Sequence, residues 1–181
     1  RQHQIAITTR EAKRLERLIG DLLELARLEA GGGTLAIQSI DTRDLFEQIS
    51  AHHEHDCRQR NVQLVSTIDR GADTITADPF RLEQAIENVT ANALRHTPSG
   101  GTIRLRAERS GDSIVLTVSD SGEGIAAEHL PHIFDRFYKT ASAKGMASRG
   151  SGLGLSIVKA VVERHGGRVS ATSTVGAGTT I

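Results

Sequence analysis

The sequence has no tryptophan, one tyrosine and four phenylalanines in 181 residues, a single cysteine, and no excess charge of either sign, 22 Lys and Arg balancing 22 Asp and Glu. Each scarcity excludes something. Cys57 alone builds neither an internal disulfide framework nor a cysteine-based zinc site, and it fits a reducing compartment. An intracellular, cytoplasmic chain is therefore expected. Balanced charge without a gathered basic patch argues against nucleic acid as a partner. Few aromatics leave no row of stacking platforms. No apolar run approaches the roughly 20 residues of a membrane span and no secretory leader opens the chain, so no direct membrane contact is expected of it. Glycine, by contrast, is plentiful at 18 residues, which turns attention to loops and to close backbone approach. The length suits one core with an appendage, and the start at Arg1 and stop at Ile181 within strand-like sequence read as a piece of something longer.

Ile5, Thr8, Ala12, Leu15, Ile19, Leu22 and Ala26 alternate three and four apart, with Leu18 and Leu25 beside them, predicting a bundle-type helix up to about Leu28. Its other face carries Arg10, Lys13, Arg17, Asp21, Glu24 and Arg27, so it needs an apolar partner surface. Gly31-Gly32-Gly33 ends it as a hinge, dividing residues 1–30 from a domain at 34–181. Leu35 to Ile40 reads as a short strand, and Asp41 caps a helix over about Thr42 to Gln59. Strands follow at Val62 to Ile68 and Asp73 to Ala77, and Asp78-Pro79 opens a helix to about Arg95. Alternation at Ile103, Leu105, Ala107 and at Ile114, Leu116, Val118 around Ser110-Gly111-Asp112 predicts a hairpin. Lys139 to Gly152 has almost nothing to bury and reads as a lid. A last helix through Leu153, Ile157, Val158 and Val161 precedes strands at Arg168 to Thr174 and from Gly178 onward. The sum is an α+β fold, a two-layer sandwich of one mixed sheet with three helices on a face, preceded by one bundle helix.

Three segments carry candidate chemistry. Asp120-Ser121-Gly122-Glu123-Gly124-Ile125 follows a strand; a carboxylate there, with glycines that let backbone approach, suits the amine edge of a planar base, and read alone it is equally an ordinary Asp-Gly turn. Gly150-Ser151-Gly152-Leu153-Gly154-Leu155-Ser156 opens a helix, where free amides at a positive terminus suit phosphate, although a plain flexible loop would look the same. No strand precedes it and no Gly-Lys-Ser/Thr lies in it, so it is neither a Rossmann fingerprint nor a P-loop. On the helix from Pro79, Asn88, Asn92 and then Arg95 or His96 form a polar stripe beside Leu82, Ile86, Val89 and Ala93. Two amides aimed at one place can ligate a hard cation such as Mg²⁺; a solvated flank is the alternative.

In this order the segments resemble the catalytic and ATP-binding domain of sensor histidine kinases, of the Bergerat-type or GHKL ATPase superfamily. Glu87 to Thr97 resembles the N box, Asp120 to Ile125 the first glycine box, Ile133-Phe134-Asp135-Arg136-Phe137-Tyr138 the F box, Gly150 to Val158 the second glycine box, and Gly176 to Ile181 the terminal Gly-x-Gly-Thr stretch. Arg14 to Glu29 resembles the second helix of the dimerisation and phosphotransfer domain. The resemblance implies ATP with Mg²⁺ held at Asn92 and Asn88, and adenine at Asp120, beside His96 and Thr179. It implies phosphate charge met by Arg95, Arg136 and Lys139. Gly122, Gly124, Ile125, Tyr138, Gly150, Gly152, Leu153, Gly154 and Leu155 would complete the ATP site, and residues 139–150 would be the ATP lid. It also implies a homodimer through the bundle, a response regulator as partner and a membrane-anchored parent.

The family's acceptor box, His followed by an acid and then Pro, is absent: His3 precedes Gln4-Ile5, and His55-Asp56 has no following Pro. No phosphorylation site is therefore expected in this chain. His52, His53, His55, Asp56 and Cys57 cluster but point in divergent directions around a helix, which argues against one metal ion. The rivals are an ATP hydrolase of the same superfamily and a non-catalytic, anti-sigma-type nucleotide-binding module. Hydrolases carry a glutamate one turn before the metal-binding asparagine; here that position is Asn88, and an amide is no general base at neutral pH.

Overall fold

The computed structural model describes residues 2–31, 33–139 and 151–181. Gly32, Gly150 and the lid expected from Thr140 onward lie outside the described residues, as do the side chains of Ile5, Thr8, Arg10, Lys13 and Arg17. Helix α1 spans Gln2–Glu29, β1 Gln38–Asp41, α2 Thr42–Arg60, β2 Gln63–Ile68, β3 Thr74–Ala77, α3 Pro79–His96, β4 Thr102–Ser110 and β5 Ser113–Asp120. A short 3₁₀ turn at Leu130–His132 precedes α4 (Gly154–Arg164), β6 (Thr172–Thr174) and β7 (Gly178–Thr180).

Capping chemistry sets the helix starts. Asp41 Oδ1 accepts the amides of Arg43 (2.7 Å) and Asp44 (3.2 Å), and Asp78 Oδ1 accepts that of Arg81 (3.1 Å) with Pro79 in the first turn. Asp78 Oδ2 also takes the amide of Ala36 (2.9 Å), and the Asp78 amide donates to His165 Nε2 (3.0 Å). One residue thus joins the α1–β1 connection, α3 and the end of α4. Burial works to raise the Asp78 carboxyl, but the amides of Ala36 and Arg81 outweigh it and hold the group below the ordinary 3.8.

The main sheet has the order β2-β4-β5-β7-β6, with β2 parallel to β4 and the other pairs antiparallel. Helices α2, α3 and α4 cover it, and Ile49, Val89, Ile103, Leu105, Ile157 and Val161 share one buried cluster. The two-layer α+β architecture is as expected. Single-sheet pairing is not: β1 and β3 form a separate two-stranded ribbon. Two strands are also shorter than expected. At Leu35 to Ile40, Ala36 spends its amide on Asp78, so pairing begins at Gln38. At Arg168 to Thr174, the partner β7 is three residues long and meets only Thr172 to Thr174.

The boundary at 31–33 does not separate the packing of α1 from the domain. Gly31 and Gly33 take left-handed φ values of 69° and 81° and end the helix, yet Leu25 and Leu28 lie in the domain core at 1% and 2% exposure. Glu24 pairs with Arg81, and Arg164 donates to the Gly33 carbonyl (2.5 Å). The expected seam faces away from this contact: Leu15, Ile19 and Leu22 are 57%, 59% and 44% exposed.

Candidate functional site

Strand β5 delivers Asp120 to the end of the sheet, opposite Thr179 of β7. Asp120 Oδ1 accepts the amides of Gly122 (2.8 Å) and Thr179 (3.3 Å). Burial raises its carboxyl above the ordinary 3.8, against the lowering effect of those two amides and of nearby His96. The backbone is drawn in so closely that side chains have no room: Gly178 has φ 109°, and a Cβ there would overlap the Asp120 carbonyl. Gly124, at φ 72°, would likewise drive a Cβ into the Thr174 carbonyl.

Around Asp120 lies a pocket lined by Asn92, His96, Glu123, Gly124, Ile125, Ile133, Tyr138, Lys139, Gly152, Leu155 and Thr179. Ten of the expected site residues therefore meet in one place, drawn from α3, the loop after β5, the segment before residue 140, the start of α4, and β7. Asn92 Oδ1 accepts from Arg95 Nη1 at 3.5 Å, which puts the guanidinium beside the amide without bringing Arg95 to the lining. His96 Nδ1 lies 2.8 Å from Glu123 Oε1, and the His96 carbonyl accepts the Glu123 amide (3.4 Å), so the end of α3 is tied to the glycine loop.

Several expected residues stand outside the lining. Gly122 packs against the His96 carbonyl, and Leu153 is fully buried. Gly154 neighbours Asn88, a Cβ there lying 3.5 Å from Asn88 Oδ1, so Asn88 borders the α4 start and does not line the pocket. Arg136 pairs with Glu29 of α1 and does not reach the pocket. Gly150 lies outside the described residues.

Glu123 and Ile133 line the pocket without having been singled out, although both fall within the quoted motifs. Ser173 supports the pocket from behind. Its hydroxyl accepts the Ile125 amide (2.8 Å), donates to the Gly178 carbonyl (2.8 Å) and lies 2.9 Å from Thr179 Oγ1, bracing two lining residues from the edge strand β6. A serine in a Thr-Ser-Thr strand gives no local sign of that role.

The donor set suits Mg²⁺ better than a protein-caged ion. No group of three His, Cys, Asp or Glu side chains able to hold a metal occurs among the described residues, whereas Asn92, which lines the pocket, carries an amide oxygen that among them otherwise meets only the long 3.5 Å approach of Arg95. Mg²⁺ characteristically takes one or two protein oxygens and completes its shell with phosphates and water. Among the described residues no helix is long and apolar enough to cross a membrane.

Residues 77–181 match the model for the histidine kinase-, DNA gyrase B- and HSP90-like ATPase family. Sensor protein IrlS of Burkholderia pseudomallei is 37% identical over 157 residues, covering 87% of this chain and 33% of the relative. Sensor protein SrrB of Staphylococcus aureus is 32% identical over 179 residues, 99% of this chain and 30% of its own. The chain thus spans about a third of the length of the curated relatives it matches. The crystal structure of full-length ShkA in complex with AMPPNP superimposes with a TM-score of 0.84 at 27% identity, over 99% of this chain and 37% of that one. The chain belongs to the histidine kinase-, DNA gyrase B- and HSP90-like ATPase family and is homologous to sensor histidine kinases.

Proposed function

We propose that the chain binds Mg·ATP in the Asp120 pocket and serves as the catalytic domain of a sensor histidine kinase, whose γ-phosphoryl group passes to a histidine and then to a response-regulator aspartate. The observation that carries the reading is Asp120 itself. With Oδ1 engaged by two amides, Oδ2 remains to accept the adenine amine, while the glycines at 124 and 178 let the backbone around Asp120 pack closely enough to hold it there. Thr179 and His96, which also line the pocket, would flank the base, and Lys139 with the α4 N-terminus would meet the phosphates. Asn92, with Asn88 one turn earlier, would hold Mg²⁺, which when bound neutralises developing charge on the phosphates. In the transfer, the bond from the γ-phosphorus to its bridging oxygen breaks, a bond to an imidazole nitrogen forms, and ADP leaves. The acceptor stands on another segment, because no acceptor box occurs in this chain. The chain's own groups position and neutralise rather than react covalently.

A hydrolase reading is disfavoured by two residues. Asn88 occupies the place of the water-activating glutamate, and the neighbouring carboxylate, Glu87, turns to α2, where its Oε2 is 2.8 Å from His53 Nε2. A parent that dimerises through the α1 seam, with this domain on the cytoplasmic side of a membrane anchor, completes the proposal. Mixing the chain with γ-labelled ATP and a separate acceptor-histidine bundle tests it. Label on the bundle is the expected result; steady phosphate release with an unlabelled bundle would overturn it in favour of hydrolysis.

A further inference from the structure

Tyr138 is the only tyrosine in a chain without tryptophan, and it lines the pocket. Its hydroxyl lies 2.7 Å from His129 Nδ1. Its ring centroid is 6.1 Å from that of His129 and 5.4 Å from that of His132, the latter at an interplanar angle of 37°. His132 is held in turn, its Nδ1 lying 3.0 Å from Asp135 Oδ2, while His129 Nε2 is 3.6 Å from the exposed Glu128 carboxylate, beyond hydrogen-bond reach. The Tyr138 amide donates to the Asp135 carbonyl (3.3 Å), so backbone and ring are anchored to the same short stretch.

A hydrogen bond at the far end of a tyrosine ring restricts both of its side-chain torsions and so favours one placement of the ring. His129 makes that bond from outside the pocket, and Lys139, the next residue, also lines the pocket. We propose that His129 is a positioning residue of the nucleotide pocket, holding the Tyr138 ring in place as one of its walls through the hydroxyl hydrogen bond. This rests on the nucleotide reading given above. His129 touches no nucleotide itself; its effect runs through Tyr138.

The composition supplies a direct readout, since all tyrosine emission from this chain comes from Tyr138, and that emission responds to the hydroxyl's partner and to a base placed against the ring. The wild-type chain, His129→Phe, His129→Gln, Tyr138→Phe and His129→Phe/Tyr138→Phe are titrated with AMPPNP and Mg²⁺ by calorimetry, and emission is followed where Tyr138 remains. His129→Phe is expected to change the nucleotide-free emission and weaken binding about two- to tenfold, the loss appropriate to one hydrogen bond. His129→Gln, which restores a polar partner, should recover most of the affinity. In the Tyr138→Phe background, His129→Phe should cost nothing further. Wild-type affinity in His129→Phe, or an equal loss with and without the tyrosine hydroxyl, would overturn the role of His129. Failure of the wild-type chain to bind AMPPNP at all would instead remove the nucleotide reading, and the proposal with it.

Discussion

At the scale of single residues, the site trades stability for recognition. The Asp120 carboxyl is raised by burial, so its contribution to folding is present below the unfolded-state pKa and lost as pH rises through the folded one. At neutral pH the ionised group is therefore carried at a cost. Asp120→Asn keeps an oxygen for the Gly122 and Thr179 amides and removes the charge, so thermal melts at pH 7 should show no loss of stability. Nucleotide binding should nonetheless weaken by about 1–3 kcal/mol, because an amide offers the adenine amine a donor where it needs an acceptor. Calorimetry giving unchanged affinity would contradict the adenine role. A carbon NMR titration of the Asp120 carboxyl should find a midpoint above 3.8. Asn92→Ala separates metal from base: Mg²⁺-dependent ATP binding should fall while metal-free adenosine binding stays nearly intact, and equal losses in both would remove Asn92 from the metal site.

At the scale of elements, the ends of helices do more than their middles. Asp78 caps α3, anchors the connection from α1 through Ala36 and meets His165 at the end of α4. Asp78→Ala should cost about 0.5–2 kcal/mol from the cap, plus the Ala36 bond, read as a lowered midpoint in urea. Because its carboxyl is held below the ordinary 3.8, its stabilisation is present above the unfolded-state pKa and lost as pH falls through the folded one. Asp78→Ala should accordingly differ most from wild type near neutral pH and converge with it in acid; a constant difference across that range would show that the charge is not what stabilises. Helix α4 starts after Leu153 with no side-chain cap among the described residues, so its first amides are not satisfied the way those of α2 and α3 are.

For the whole molecule, α1 has two apolar faces with different fates. Leu25 and Leu28 enter the domain core, whereas Leu15, Ile19 and Leu22 stand exposed on the expected seam. Leu28→Ala should destabilise the chain by about 2–5 kcal/mol, the usual range for a buried leucine. Ile19→Glu should leave the monomer within about 0.5 kcal/mol of wild type and lower its tendency to self-associate, measured by sedimentation. An Ile19→Glu variant that melts as early as Leu28→Ala would show that the seam is core rather than interface. The Glu24–Arg81 and Glu29–Arg136 pairs lie at the same junction, so Arg136 contributes to seating α1.

Element order, the helix caps at Asp41 and Asp78 and the glycine motifs were legible in the sequence, because capping, turn chemistry and periodicity act over a few neighbouring residues. The motif order also brought Asn92, His96, Asp120, Tyr138, Lys139 and Thr179 into one expected site. Tertiary structure alone decided the rest. Arg136 could be placed near phosphate by its motif but is drawn to Glu29, 107 positions away. Ser173 and His129 act on the pocket through partners that no local pattern specifies. The separate β1–β3 ribbon and the docking of Leu25 and Leu28 depend on which surfaces remain to be buried once the main sheet has formed. Short-range chemistry writes the elements into the sequence; burial and charge pairing between distant segments, which carry no fixed spacing, choose their neighbours.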